Sequence, residues 1–181
     1  MLYRFAIQLA DVDRSVYEDL DVRAHLHPSE DVPWLLTRVL AFALEYEAGL
    51  EFGKGLSDAE EPALWRRSPE GRPLLWIDVG SPTPDRLHKV AKHAERVVVW
   101  CHRRPDLLRQ KCAKEGVHKA DAIRVVEVPP SLLDSLAEHL DRNNTWDVSV
   151  HDGHVTIVIG GNAGGAVVEA VLPSGPLARE D

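Results

Sequence analysis

Two acids, Glu61 and Asp78, hold the clearest chemical possibility in this sequence of 181 residues. They bound the stretch Glu61-Pro-Ala-Leu-Trp-Arg-Arg-Ser-Pro-Glu-Gly-Arg-Pro-Leu-Leu-Trp-Ile-Asp78. Ser68-Pro69-Glu70-Gly71 suits a type I turn, with Pro second and Gly fourth. If Ser68 pairs with Gly71, Glu61 stands directly opposite Asp78, with Cβ atoms about 4.5–5.5 Å apart. Two ionised carboxylates that close need a cation between them or a proton on one. Mg²⁺ or Mn²⁺ is the natural cation for oxygen ligands. The same Pro-Glu-Gly run also suits a three-residue loop with a bulge. Ser68 then pairs with Arg72, Glu61 opposes Val79, and Asp78 turns to the other face. The sequence admits both registers, and also the plainer reading in which both acids are exposed strand-end residues.

Charge is unevenly distributed. The formal net charge is −8, which by itself argues against a nucleic-acid partner. Between Arg86 and Arg124, however, eleven bases meet four acids, a local charge of +7 against −15 for the rest. Such a chain can hold a polyanion on one face and repel it elsewhere. Arg86, Lys92, Arg96, Arg103 and Arg104 are the candidate phosphate contacts. The competing reading is two solvated basic helices.

The elements that must position these residues follow from periodicity. Residues 2–11 and 15–26 alternate as a β-hairpin. Asp31, ahead of Pro33, caps a helix whose apolar stripe runs from Leu35 to Leu44 and which extends to about Ala48, ended by Gly49. Strands are expected at 50–53, 61–67 and 73–79. Thr83-Pro84-Asp85 then starts a helix with Leu87, Val90, Ala91 and Ala94 inward. A buried strand (96–100), a basic helix (105–116), a second buried strand (123–128) and a helix (131–140) follow. Asp152-Gly153 joins strands 146–150 and 155–159 as a hairpin. A strand at 167–172 precedes a tail, frayed from Pro173. The expectation is a single α/β domain over residues 1–181, a mixed sheet flanked by helices, with a small extra sheet made by the two ends.

The stretches LADVDRSVY (9–17), HLHPSE (25–30), LLTRVLAFAL (35–44), LEFGKGLSDAEEPALW (50–65), LWIDVGSPTPDRLHKVAKHAE (75–95) and the C-terminal HDGHV resemble the YaeQ family. That family is in turn similar to the PD-(D/E)XK nucleases, so the resemblance implies a restriction-endonuclease-like core. It also implies metal-assisted phosphodiester hydrolysis of nucleic acid. Glu61 and Asp78 match the two metal-binding acids, with Glu30 of the first core helix as a third. The lysine expected two residues after the second acid is replaced by Gly80. Lys89 of the following helix is the substitute, with Lys92 second, although a helical wheel sets Lys89 opposite the apolar stripe. Mg²⁺ or Mn²⁺ is the implied cofactor. Glu30 also has a plainer use, favourable interaction with the helix dipole.

Other signals are weaker. Gly160-Gly-Asn-Ala-Gly-Gly165 lacks the Lys and helix of a phosphate loop and reads as a hairpin loop. His25 and His27 lack further ligands at zinc spacing. Cys101 and Cys112 read as ordinary buried thiols in a reducing cytoplasm. No run approaches the ~18 apolar residues of a membrane span, and the N-terminus lacks a signal-peptide pattern. The leading expectation is a metal-dependent nuclease-like hydrolase. Its rivals are an inactive nuclease fold that binds nucleic acid or protein, and a purely structural interaction domain.

Overall fold

The computed structural model describes residues 1–160 and 165–178. The chain forms two compact units. One holds Met1–Tyr46 and Pro129–Leu172, the other Glu47–Val128 together with Pro173 and the described residues after it.

The first unit is built on β1 (Leu2–Asp11) and β2 (Val16–His25), antiparallel from Leu2↔His25 to Asp11↔Val16. Alternation buries Phe5, Ile7, Leu9, Leu20, Val22 and Ala24 on one face. β8 (Asn143–His151) adds parallel to β1, and β9 (His154–Ile159) and β10 (Val167–Val171) follow antiparallel, giving the order β10-β9-β8-β1-β2. Trp146 of β8 meets Phe5 edge-on at 4.9 Å, so the hairpin and the C-terminal strands share one core. At the Asp-Gly turn, Asp152 and Gly153 take φ 49 and 75, the positive values a two-residue hairpin needs. Asp13 accepts hydrogen bonds from both of their amides.

Helix α1 (Val32–Leu44) starts where Asp31 accepts from the Trp34 amide at 2.9 Å, as its capping pattern requires. It stops with the apolar stripe at Leu44, a turn short of the expected end near Ala48. The Glu45 amide closes on Ala41, and Gly49, at φ 90, belongs to a separate turn in which Leu50 bonds Glu47. Helix α4 (Pro130–Glu138) packs against α1.

The second unit carries the order β11-β7-β6-β5-β4-β3. β3 (Glu51–Phe52), β4 (Leu64–Arg67) and β5 (Pro73–Val79) are antiparallel neighbours, whereas β5, β6 (Arg96–Cys101) and β7 (Arg124–Glu127) run parallel. The connecting helices α2 (Pro84–Val90) and α3 (Pro105–Glu115) lie on one face, over Trp76, Val97, Val99, Cys101 and Val125. Helix α2 is one turn shorter than expected. The two ends of the chain do contribute a sheet of their own, but it is five-stranded rather than small.

The expected frayed tail is a correction. Ser174–Pro176 forms β11, antiparallel to β7. Gly175 and Pro176 are poor strand residues, but an edge strand tolerates a proline that cannot donate. Leu177, 2% exposed, anchors it in the core beneath α2 and α3. The glycine-rich loop expected at 160–165 lies, for positions 161–164, outside the described residues.

Candidate functional site

Two irregularities set the position of Glu61 and Asp78. The loop closes as Ser68 with Arg72: the Ser68 amide donates to the Arg72 carbonyl at 2.8 Å, and Gly71 turns at φ 89. A second shift between Arg66 and Arg67 then pairs Trp65 with Trp76 and Leu64 with Ile77. The loop is therefore the second one read from the sequence, but the shift at Arg66/Arg67 moves the strand one residue beyond that register, so Glu61 does not pair with Val79 and falls outside the ladder. Directly opposed carboxylates are overturned by two bulges, of which Pro-Glu-Gly signals only one.

Asp78 is 4% exposed, near the carboxyl end of β5 and on the α2 face. Arg86, on the first turns of α2, meets it as a fork. Nε donates to Oδ2 at 2.8 Å and Nη2 to Oδ1 at 3.0 Å. Nη2 also donates to the Glu61 carbonyl at 3.0 Å, and Nη1 donates to the Ala59 carbonyl. The guanidinium lies 5.4 Å from the centre of the Trp76 ring. The bond to Asp78 raises the Arg86 pKa further despite burial, so the guanidinium stays charged.

The Glu61 carboxylate has its own cation. Oε2 accepts from the Lys54 amide at 3.0 Å, and Lys54 Nζ is 3.6 Å from Oε1. Gly53 makes this possible: a Cβ there would lie 2.1 Å from the Pro62 carbonyl oxygen, so only glycine lets the two backbones meet. The other acid, Glu30, is in the first unit. It accepts from the His27 amide at 2.9 Å and faces the buried Arg38, whose pKa burial pulls down to about 10 while Glu30 opposes the shift.

Lys89 pairs with Asp85 one turn away at 3.0 Å, both side chains 72% exposed. Gly80 explains why lysine is absent from the expected position. It has φ 98, a conformation costly for any side-chain-bearing residue, and its amide is tied to the Trp100 carbonyl. Among the described residues, no group of three or more His, Cys, Asp and Glu is placed to hold a metal ion. The two matched acids do not fit a divalent cation as they stand, because Arg86 takes both oxygens of Asp78 and Lys54 engages Glu61.

The basic segment divides. In a β–α–β path each helix runs back against its strands, so consecutive stretches of sequence alternate between the two ends of the sheet. Arg86, Arg103 and Arg104 stand at the carboxyl edge of β5 and β6. Lys92, Arg96, Lys114 and Lys119 stand at the opposite end, where His88 of α2 accepts from the His118 amide. Arg96 pairs with Glu47 at 2.5 Å. Arg103 and Arg104 are exposed, and Arg104 pairs loosely with Asp106 at 3.4 Å. Arg104, at φ 47, also opens α3 without a side-chain cap. The Ser81 hydroxyl donates to the Arg103 carbonyl at 3.1 Å, joining the two edge loops. Sequence reasoning missed Lys54 and the pairing role of Arg86; the spacing of Asp78 and Arg86 across a strand-to-helix turn was the available signal.

Fold and site define an α/β protein whose parallel strands end in an ion-paired acid beside exposed arginines. The chain belongs to the YaeQ family: the family model described as YaeQ protein matches residues 1–166. It is 28% identical over 156 residues to the uncharacterized protein YaeQ of Salmonella typhi, covering 85% of this chain and 86% of that protein. The Escherichia coli (strain K12) protein of the same description is 27% identical over 154 residues, 84% of each. Among solved structures, the YaeQ protein from Pseudomonas syringae is similar at TM-score 0.86 and 33% identity, covering 99% of this chain and 97% of that one. The YaeQ protein from Xanthomonas axonopodis pv. citri follows at TM-score 0.85 and 32% identity, covering 97% and 96%.

Proposed function

We propose that this protein is a nucleic-acid-binding module on a nuclease-like core, with no metal centre at Glu61 and Asp78. The observation that carries this is the Asp78–Arg86 fork, with Arg103 and Arg104 exposed along the same carboxyl edge. Open α/β sheets take ligands at that edge. Two exposed arginines side by side at the start of α3 suit a phosphate. The exposed Arg104–Asp106 pair is weak enough to exchange for one.

Hydrolysis by Mg²⁺ or Mn²⁺ at Glu61 and Asp78, with Lys89 as the basic group, is the second reading. One observation favours it: Asp78 is a buried carboxylate close to the carboxyl end of a central parallel strand. It requires Arg86 to leave Asp78.

Fluorescence anisotropy with labelled single- and double-stranded DNA and RNA, in EDTA, separates the two. Binding in EDTA, weakened by Arg103→Glu/Arg104→Glu and unaffected by Lys114→Glu/Lys119→Glu, is the expected result. Mg²⁺-dependent cleavage that Asp78→Ala abolishes supports the hydrolase instead. Absence of binding to every probe defeats the module.

A further inference from the structure

Four oxygens converge on one cation beside α2. They are both carboxylate oxygens of Asp78 and the carbonyls of Ala59 and Glu61. Carboxylate and carbonyl oxygens are the ligands that hard divalent ions take. Here a guanidinium gathers them.

We propose that Arg86 is the resident cation of this site, so that a divalent ion reaches Asp78 only when the Arg86 side chain is absent. The Asp78 side chain is only 6% exposed, and a carboxylate buried to that degree needs a counter-charge. Arg86 supplies it from a fixed base. Pro84 opens α2, Thr83 caps it by accepting from the Arg86 amide at 3.2 Å, and Trp76 lies alongside the guanidinium. A planar fork suits the task, because one group reaches the carboxylate and two separate carbonyls; the point charge of a lysine reaches fewer. The arrangement also joins three segments: β5 through Asp78, α2 through Arg86, and the 59–61 turn through its carbonyls. Glu61, the other acid that a metal would use, is engaged separately by Lys54. A metal would therefore have to displace one protein cation and compete with another.

The inference shares with the proposed function only the view that Asp78 carries no metal. Its test contains no nucleic acid, so failure of one leaves the other standing. Mn²⁺ is titrated calorimetrically into wild type, Arg86→Ala and Arg86→Ala/Asp78→Asn, and the same proteins are melted with and without millimolar methylguanidinium. Arg86→Ala is expected to melt lower than wild type and to be raised by methylguanidinium, which leaves wild type unchanged. It is also expected to bind Mn²⁺ roughly tenfold or more tighter than wild type, with the gain lost in the double variant. Wild type binding Mn²⁺ as tightly as Arg86→Ala overturns the proposal. So does an Arg86→Ala protein that responds to neither cation. If Arg86→Ala does not fold, wild type and Asp78→Asn decide. No Mn²⁺ heat in either is expected, and a heat in wild type that Asp78→Asn removes overturns the proposal. Arg86→Lys, which keeps the charge, is expected to fold with a lowered Tm.

Discussion

Gly80 has φ 98 two residues beyond Asp78. A lysine there would meet a backbone that side-chain-bearing residues rarely adopt, at a cost of about 1–3 kcal/mol. Gly80→Lys should therefore lower the Tm and create no Mg²⁺-dependent nuclease activity; a thermal melt and a cleavage assay check both. Asp13 gives a titration with a defined sign. Hydrogen bonds from the Gly153 and then the Asp152 amide hold its carboxyl below the ordinary value of 3.8. A depressed folded pKa means that the contribution is complete above the unfolded value and is lost as pH falls through the folded one. The two turn amides should therefore shift in NMR spectra, and lose protection relative to their intrinsic exchange rates, as the pH drops below about 4. Asp13→Asn should show that looser state already at neutral pH.

At the scale of elements, much was readable because local and global signals agree. Asp31 caps α1, Thr83 caps α2, and Asp152-Gly153 closes β8 and β9, each as its residue type dictates. β11 is the opposite case. Ser174-Gly-Pro176 has no strand signal, and its place depends on Leu177 burying a side chain among residues distant in sequence. Leu177→Ala should cost about 2–5 kcal/mol in chemical denaturation and release β11, seen as faster amide exchange at Glu127, whose amide donates to the Pro173 carbonyl. The register of β4 on β5 was hidden for another reason. A turn signature shows one bulge, but the second, at Arg66/Arg67, has no such signature; beyond it Trp65 stands opposite Trp76, edge-on at 5.9 Å. The candidate acids were visible as residue types. Their partners were not, because Lys54 reaches Glu61 only where Gly53 lets two loops touch.

Across the whole molecule, charge along the chain and charge in space differ. No helix among the described residues is long and apolar enough to cross a membrane. The +7 read over residues 86–124 is not one surface. Alternating strands and helices send Arg103 and Arg104 to one end of the parallel strands and Lys92, Lys114 and Lys119 to the other, while Arg86 and Arg96 are held by Asp78 and Glu47. Acids that a metal was expected to neutralise are neutralised by Arg86 and Lys54. Metal-independent binding of nucleic acid at the carboxyl edge is the central claim. Its most direct measurement is oligonucleotide affinity against salt concentration, in EDTA, for wild type and Arg103→Glu/Arg104→Glu. The account predicts a linear fall of log K with log salt for wild type. In the variant the slope should be shallower by about 0.9 for each duplex phosphate that an arginine no longer neutralises, roughly 2 in all. Equal slopes and affinities for the two proteins, or binding that disappears in EDTA, would contradict it.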